Sequence, residues 1–177
     1  MLSGDRVVLR PIERSDLPRL WELLEDPEVA VLAELGPVRP TSLAEYEAKY
    51  DERLREANRE WVAFAIETSG EVIGECDLHR IDQFTRSCEL GIAIGREYWG
   101  KGLGQDAVRT LVDYAFEYLN MNRVGLYVLA DDARAVGAYM RAGFVEEGRL
   151  RQRSWVRSEH RDELVMSVLR EDWKPRG

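Results

Sequence analysis

Between residues 91 and 104 the chain reads Gly91-Ile92-Ala93-Ile94-Gly95-Arg96-Glu97-Tyr98-Trp99-Gly100-Lys101-Gly102-Leu103-Gly104. This is an apolar strand, a short connection, then three glycines on alternate positions. From Leu103 onward, Ala107, Val108, Leu111, Val112, Ala115, Phe116 and Leu119 keep the spacing of one apolar helix face. Glycine lets a backbone approach a ligand closely, and the first N–H groups of a helix have no partners inside it. The helix dipole adds about half a positive charge at the same place. The segment therefore reads as an anion cradle with a pyrophosphate as its natural guest. The plain alternative is a glycine-rich turn that binds nothing.

Other phosphate patterns fit less well. No Lys-Ser or Lys-Thr follows a glycine at the spacing of a nucleotide-triphosphate loop. Gly102-x-Gly104-x-x-Ala107 spells the dinucleotide fingerprint, yet it does not directly follow its strand. No acidic residue closes the next strand in the expected way either, so binding of a dinucleotide by an oxidoreductase rests on the glycines alone.

The remaining pattern is mixed. Val7 to Pro11 predicts a short strand, and Ser15 a cap for a helix carrying Leu17, Leu20, Trp21 and Leu24 that fades near Asp26-Pro27. Gly36-Pro37 and Pro40 mark a loop, and Ser42 with Glu45 forms a capping-box pattern ahead of a helix with Tyr46, Tyr50 and Leu54 on one face. Apolar runs at 61–66, 71–79 and 88–94 are separated by short polar turns, which predicts an antiparallel meander. After the glycine-rich helix come a strand near Arg123–Leu129, a helix from Asp131 or Asp132 to Ala142 with Gly143 at its exit, and two final strands, one starting at Phe144-Val145 and one at 164–169. The fold class is α/β (α+β) with a mixed sheet.

Length and composition narrow the classes of function. The 177 residues suit one domain spanning 1–177, and 45% hydrophobic with 33% charged residues excludes disorder and low complexity. Net charge is −8, from 33 acidic against 25 basic residues, which disfavours nucleic acid as a partner. No apolar stretch is long enough for a membrane helix, and the charged start argues against a secretion signal, so the expected location is cytoplasmic. Two cysteines and two histidines leave little for a disulfide framework or a metal site, and none is expected. A homodimer is the assembly to test for.

The motifs carry a resemblance. Trp99-Gly100-Lys101-Gly102-Leu103-Gly104 resembles the acyl-CoA pyrophosphate loop of the GNAT superfamily of N-acetyltransferases, whose pattern is Q/R-x-x-G-x-G/A. The block from Asp132 to Phe144 resembles that family's N-x-x-A-x-x-x-Y-x-x-x-G-F segment. Leu9-Arg10-Pro11 with Ser15-Asp16-Leu17, and Asp162-Glu163-Leu164 through Trp173, are similar to the RimJ/RimL and spermidine acetyltransferase branch. Trp99 stands where the family often has Gln or Arg, and Asp132 where Asn is common. An aspartate there accepts but does not donate, and reads equally well as a helix cap.

The resemblance implies a mainly antiparallel sheet flanked by helices and splayed between its fourth and fifth strands. It implies acetyl-CoA as acyl donor, with Ile92, Ala93 and Ile94 pairing with the pantetheine arm, Trp99, Gly100, Lys101, Gly102, Leu103 and Gly104 around the pyrophosphate, and Asp132 beside the cofactor. Tyr139 is then the proton donor to the departing thiolate; its plain reading is a core tyrosine.

Direct attack by an amine needs help with deprotonation, since an ammonium of pKa ~10.4 is only about 0.1% neutral at pH 7. Glu75 and Glu89 are candidates for the base, because carboxylates on central strands are costly unless used or solvated. A water chain is the alternative. Cys76 and Cys88 are expected on adjacent strands as reduced thiols that could face each other.

The acceptor is left open between a polyamine, a protein N-terminus and another small amine. Glu25, Asp26, Glu28 and Glu34 favour a cationic acceptor, while Arg149, Arg151, Arg153 and Arg157 point the other way. A catalytically silent CoA-binding module is the alternative function.

Overall fold

The meander expected between residues 61 and 94 forms the centre of the sheet. In the computed structural model, which describes residues 1–34, 38–56 and 60–174, β3 (Val62–Thr68), β4 (Glu71–Asp82) and β5 (Ser87–Ile94) pair antiparallel in sequence order. Before β3 come β1 (Leu2–Ser3), β2 (Val8–Arg10) and three helices, α1 (Leu17–Leu24), α2 (Pro27–Glu34) and α3 (Leu43–Glu56). After β5 come α4 (Leu103–Glu117), β6 (Arg123–Leu129), α5 (Ala133–Arg141), β7 (Val145–Val156) and β8 (Glu159–Leu169). The eight strands lie in the order β1-β2-β3-β4-β5-β6-β8-β7, and β5–β6 is the parallel pair. A mainly antiparallel sheet excludes the doubly wound architecture that a dinucleotide fingerprint would need.

α4 buries the stripe read from the sequence. Leu103, Ala107, Leu111, Val112 and Ala115 pack into one cluster with Leu9, Ile66, Ile73 and Leu78 from the sheet. On the opposite face, Leu20 of α1 packs with Ala65 and Val72, and Tyr46 of α3 closes this smaller cluster. A buried carboxylate fastens the N-terminal segment to α4. Asp106 accepts the backbone N–H groups of Asp5 (3.2 Å), Arg6 (2.7 Å) and Val7 (3.0 Å), three donors that would otherwise lack strand partners.

Several expectations are corrected. The residue before α1 is Asp16, not Ser15: the Asp16 carboxylate accepts the Glu13 N–H at 2.8 Å and takes both ends of the Arg10 guanidinium at 2.6 and 2.9 Å. Pro27 does not merely end α1. It is the first residue of α2, where its missing N–H costs nothing. The Ser42–Glu45 capping box forms, with Ser42 N–H to Glu45 at 2.9 Å and Glu45 N–H to Ser42 at 3.3 Å.

Leu54 is exposed, and Arg53 takes its expected place beside Tyr46 and Tyr50. At 100° per residue, position 53 returns to within about 20° of position 46, whereas position 54 lies about 80° away. β4 continues past His79 to Asp82 through an irregularity at Arg80, whose φ is 50°. β7 and β8 are longer than read, joined at Arg157 and Ser158. Gly36-Pro37 lies outside the described residues.

Candidate active site

β5 and β6 pair at only three positions, Ser87–Arg123, Cys88–Val124 and Glu89–Gly125, and then diverge. These are the fourth and fifth strands read from the sequence, displaced in number by β1. Beyond Glu89 the β6-facing side of β5 has no strand partner, and a cleft of about 180 Å³ opens there. Ile92, Ala93 and Ile94 form one wall, the glycine loop the mouth, and Tyr139 of α5 lies on the other wall.

The loop is held rigidly. Trp99 Nε1 donates to the Ile94 carbonyl at 2.8 Å, which ties the loop back to the end of β5. Gly100 and Gly102 have φ of +73° and +78°, a region costly for other residues. The Arg6 guanidinium donates to the Lys101 carbonyl, so the clamp at Asp106 also positions the loop. Gly102 is the residue before α4, and the Asp106 N–H closes the first helical bond to its carbonyl at 3.1 Å. The N–H groups up to Gln105 are thus the unpaired start of a helix.

Leu103 is buried as the first member of the α4 stripe, and Gly104 serves packing as much as approach. A Cβ at Gly104 would stand 3.3 Å from Ile94 Cδ1. The Lys101 ammonium lies 5.4 Å from the Tyr98 ring centre. This backbone cradle fits an acyl-CoA pyrophosphate.

On the facing wall, the Arg134 guanidinium sits 4.3 Å above the Trp99 ring and spans the mouth of the cleft. Asp132 caps α5. One oxygen accepts the Ala135 N–H at 3.0 Å and the other holds Arg134 at 3.1 Å, so both are committed within the protein. Tyr139 lies beside Phe144, with ring centres 5.8 Å apart and planes tilted by 60°. Burial, and then the Asp132 charge, push its phenol up to about 12, so it stays protonated at neutral pH.

A second cleft, of about 970 Å³, opens beside the first and shares Ala33, Ile92 and Ala93 with it. Glu75 stands opposite Ala93 in the β4–β5 register and lines this second cleft. Tyr46 donates its hydroxyl to Glu75 at 3.1 Å. Burial raises the Glu75 carboxyl above the usual range, against the lowering effects of that hydrogen bond and of the Arg53 charge.

Glu89 is placed elsewhere. It pairs with Arg80 at 3.0 Å and faces His79 Nε2 at 3.4 Å, four residues and about 13 Å along β5 from Ala93. His79 Nδ1 lies 2.8 Å from Asp77, which raises the imidazole's pKa. Asp77, Tyr46 and His79 are not among the site residues read from the sequence. The available signal was the polar alternation Glu75, Asp77, His79 against buried Cys76 and Leu78.

The cysteines do not face each other. Cys76 is opposite Ile92, while Cys88 lies four positions further along β5. Both are buried free thiols, and burial pushes Cys88 up to about 12, which suits inert core residues. Among the described residues no cluster of three or more potential metal ligands occurs, and no helix is long and apolar enough to cross a membrane.

A parallel strand pair opening over a helix-capping glycine loop, with a second cleft meeting the first at Ala33, Ile92 and Ala93, fits an acyl-CoA-dependent acyltransferase. Residues 6–145 match the acetyltransferase (GNAT) domain, and the chain belongs to that family. It is 30% identical over 175 residues, 97% of each chain, to an uncharacterized N-acetyltransferase, p20, of Bacillus licheniformis. It is 29% identical over 173 residues to the spermidine N(1)-acetyltransferase of Escherichia coli K12, covering 98% of this chain and 91% of that one. Among solved structures it is similar to the Vibrio cholerae spermidine N-acetyltransferase in complex with CoA and spermine, with a TM-score of 0.86, 27% identity, and 96% and 98% of the two chains covered. The protein is an N-acetyltransferase that takes its acetyl group from acetyl-CoA and delivers it to an amine.

Proposed function

We propose that the protein acetylates a primary amine by direct attack, with Glu75 as general base and Tyr139 as donor to the leaving sulfur. The observation that carries this reading is the meeting of the two clefts at Ile92 and Ala93, with Glu75 directly across the strand pair. The thioester's place is along β5, where Ile92, Ala93 and Ile94 offer backbone groups to an extended chain as an added strand would. A fixed N–H there, aimed at the developing oxyanion, is worth about 3 kcal/mol. The pyrophosphate rests on the backbone from Trp99 to Gly104, and Asp132 acts by holding the start of α5.

Glu75 receives a proton from the amine as its nitrogen bonds to the carbonyl carbon. A carboxylate raised by burial is a better base than a solvated one, and it needs no cation partner to be ready. As the carbon–sulfur bond breaks, the electron pair goes to sulfur, and the Tyr139 hydroxyl donates to it. Glu89 holds His79 and Arg80 in place and is not the base.

The spermidine acetyltransferases among its relatives favour a small amine as acceptor. A silent CoA-binding module is disfavoured by a second cleft that holds a carboxylate across the strand pair from Ala93, a residue both clefts share. The test is incubation with acetyl-CoA and a panel of amines, following free thiol and the mass of each amine. Release of CoA matched by acetylated amine is expected; CoA binding without transfer to any amine overturns the reading.

A further inference from the structure

The acceptor cleft carries its charge in two layers. Its floor, on β4, is anionic at Glu75 and Asp77. Its wall, on α3, is cationic at Lys49 and Arg53. Four acidic and four basic side chains line the cleft in all, so it is formally neutral in a chain of net charge −8. Among the described residues, Lys49 and Arg53 have no carboxylate within ion-pair distance. The Arg53 guanidinium instead sits 6.0 Å from the Trp61 ring centre, which leaves its donor edges for another partner.

Of the acidic segment read from the sequence, Glu25 lines this cleft, and Glu25, Asp26 and Glu28 each hold a partner within the protein. Asp26 accepts the Glu28 N–H at 2.8 Å, Glu28 pairs with Arg157, and Glu25 accepts the Thr41 N–H at 3.0 Å.

We infer that the preferred acceptor is a small amine that also carries an anionic group, a carboxylate or phosphate, about 10 Å from its reacting nitrogen. The figure is the axial spacing of Tyr46, whose hydroxyl reaches Glu75, and Arg53, seven residues on along α3 at 1.5 Å per residue. The ammonium end is drawn to Glu75 and Asp77, and the anionic end to Arg53 and Lys49, with Arg53 able to bind two oxygens at once. A polyamine reaching the same depth would set its far ammonium against two cations.

This rests on the transfer reaction proposed above, and a matched series separates the two. Octylamine, 1,8-diaminooctane and 8-aminooctanoate share one length and differ only in the charge at the far end. With acetyl-CoA, kcat/KM should be at least about tenfold higher for the aminooctanoate than for the diamine at low salt. The ratio should shrink as salt screens the cleft. In Arg53→Met the ratio should collapse toward one, and in Arg53→Lys it should fall between. Transfer to all three amines with a ratio of one or below, or a ratio that Arg53→Met leaves intact, overturns this inference alone. No transfer to any of the three overturns the reaction on which it rests.

Discussion

Tyr46 on α3 donates its phenolic hydrogen to the Glu75 carboxylate on β4 across 3.1 Å, joining two residues 29 positions apart. The bond holds the carboxylate in the second cleft, across the strand pair from Ala93, a residue that both clefts share. It also stabilises the charged form of a group that burial drives the other way. The tyrosine itself is pushed far above its usual range by burial and by the Glu75 charge, so it remains a donor throughout the working pH range.

Removing that hydroxyl should move the pH profile in a defined direction. A general base works only when deprotonated, so kcat/KM rises as pH passes upward through the Glu75 pKa. In Tyr46→Phe the carboxylate loses a donor to its charged form, and its pKa climbs further. The acid limb of kcat/KM should shift to higher pH, with the plateau less affected. A limb that stays in place shows that Glu75 is not the titrating group.

Tyr139→Phe keeps the ring against Phe144 and deletes only the hydroxyl. CoA affinity should survive while kcat falls by about 10²–10⁴-fold. Calorimetric binding and turnover on one preparation separate this from a packing role, which would cost only about 1 kcal/mol of stability.

The loop glycines should not be equivalent. Gly102→Ala places a side chain at φ +78°, with its Cβ 3.0 Å from Arg6 Nη1, in a conformation costing about 1–2 kcal/mol. Gly104→Ala meets only the flexible end of Ile94 at 3.3 Å. CoA titrations should therefore show a clear loss of affinity at position 102 and a smaller one at 104.

Asp106→Ala should be among the more destabilising changes distant from the reacting atoms. Three backbone N–H groups lose their acceptor, at a cost of about 3 kcal/mol. For a chain of this size that is a drop in Tm of roughly 6–12 °C. CoA binding should weaken as well, because Arg6 then loses its hold on the Lys101 carbonyl.

Much of the framework around the first cleft was legible because it is local. The alternating glycines, the α4 stripe and the cap at Asp132 each lie within one short segment, and each formed where read. The strands at 71–79 and 88–94 were visible from their alternation, but their register was not. Register is what brings Glu75 opposite Ala93 and sends Glu89 toward His79 and Arg80.

The length of β7 was hidden because Arg149, Arg151 and Arg153 give it no apolar face to read, and the edge of the sheet asks for none. Pro27 was read as a stop because the same residue marks both the end of one helix and the first turn of the next. The second cleft depends on Tyr46 of α3 reaching Glu75 of β4, a contact between distant segments that no local pattern encodes.

The most direct test of the account is kcat/KM against pH for the wild type and Glu75→Gln, using acetyl-CoA and 8-aminooctanoate. The wild type should show an acid limb above the usual carboxylate range. Glu75→Gln should lose that limb and fall by about 10²–10⁴-fold on the plateau, with CoA affinity retained. A variant that keeps both the wild-type plateau and the wild-type limb contradicts the central role given to Glu75.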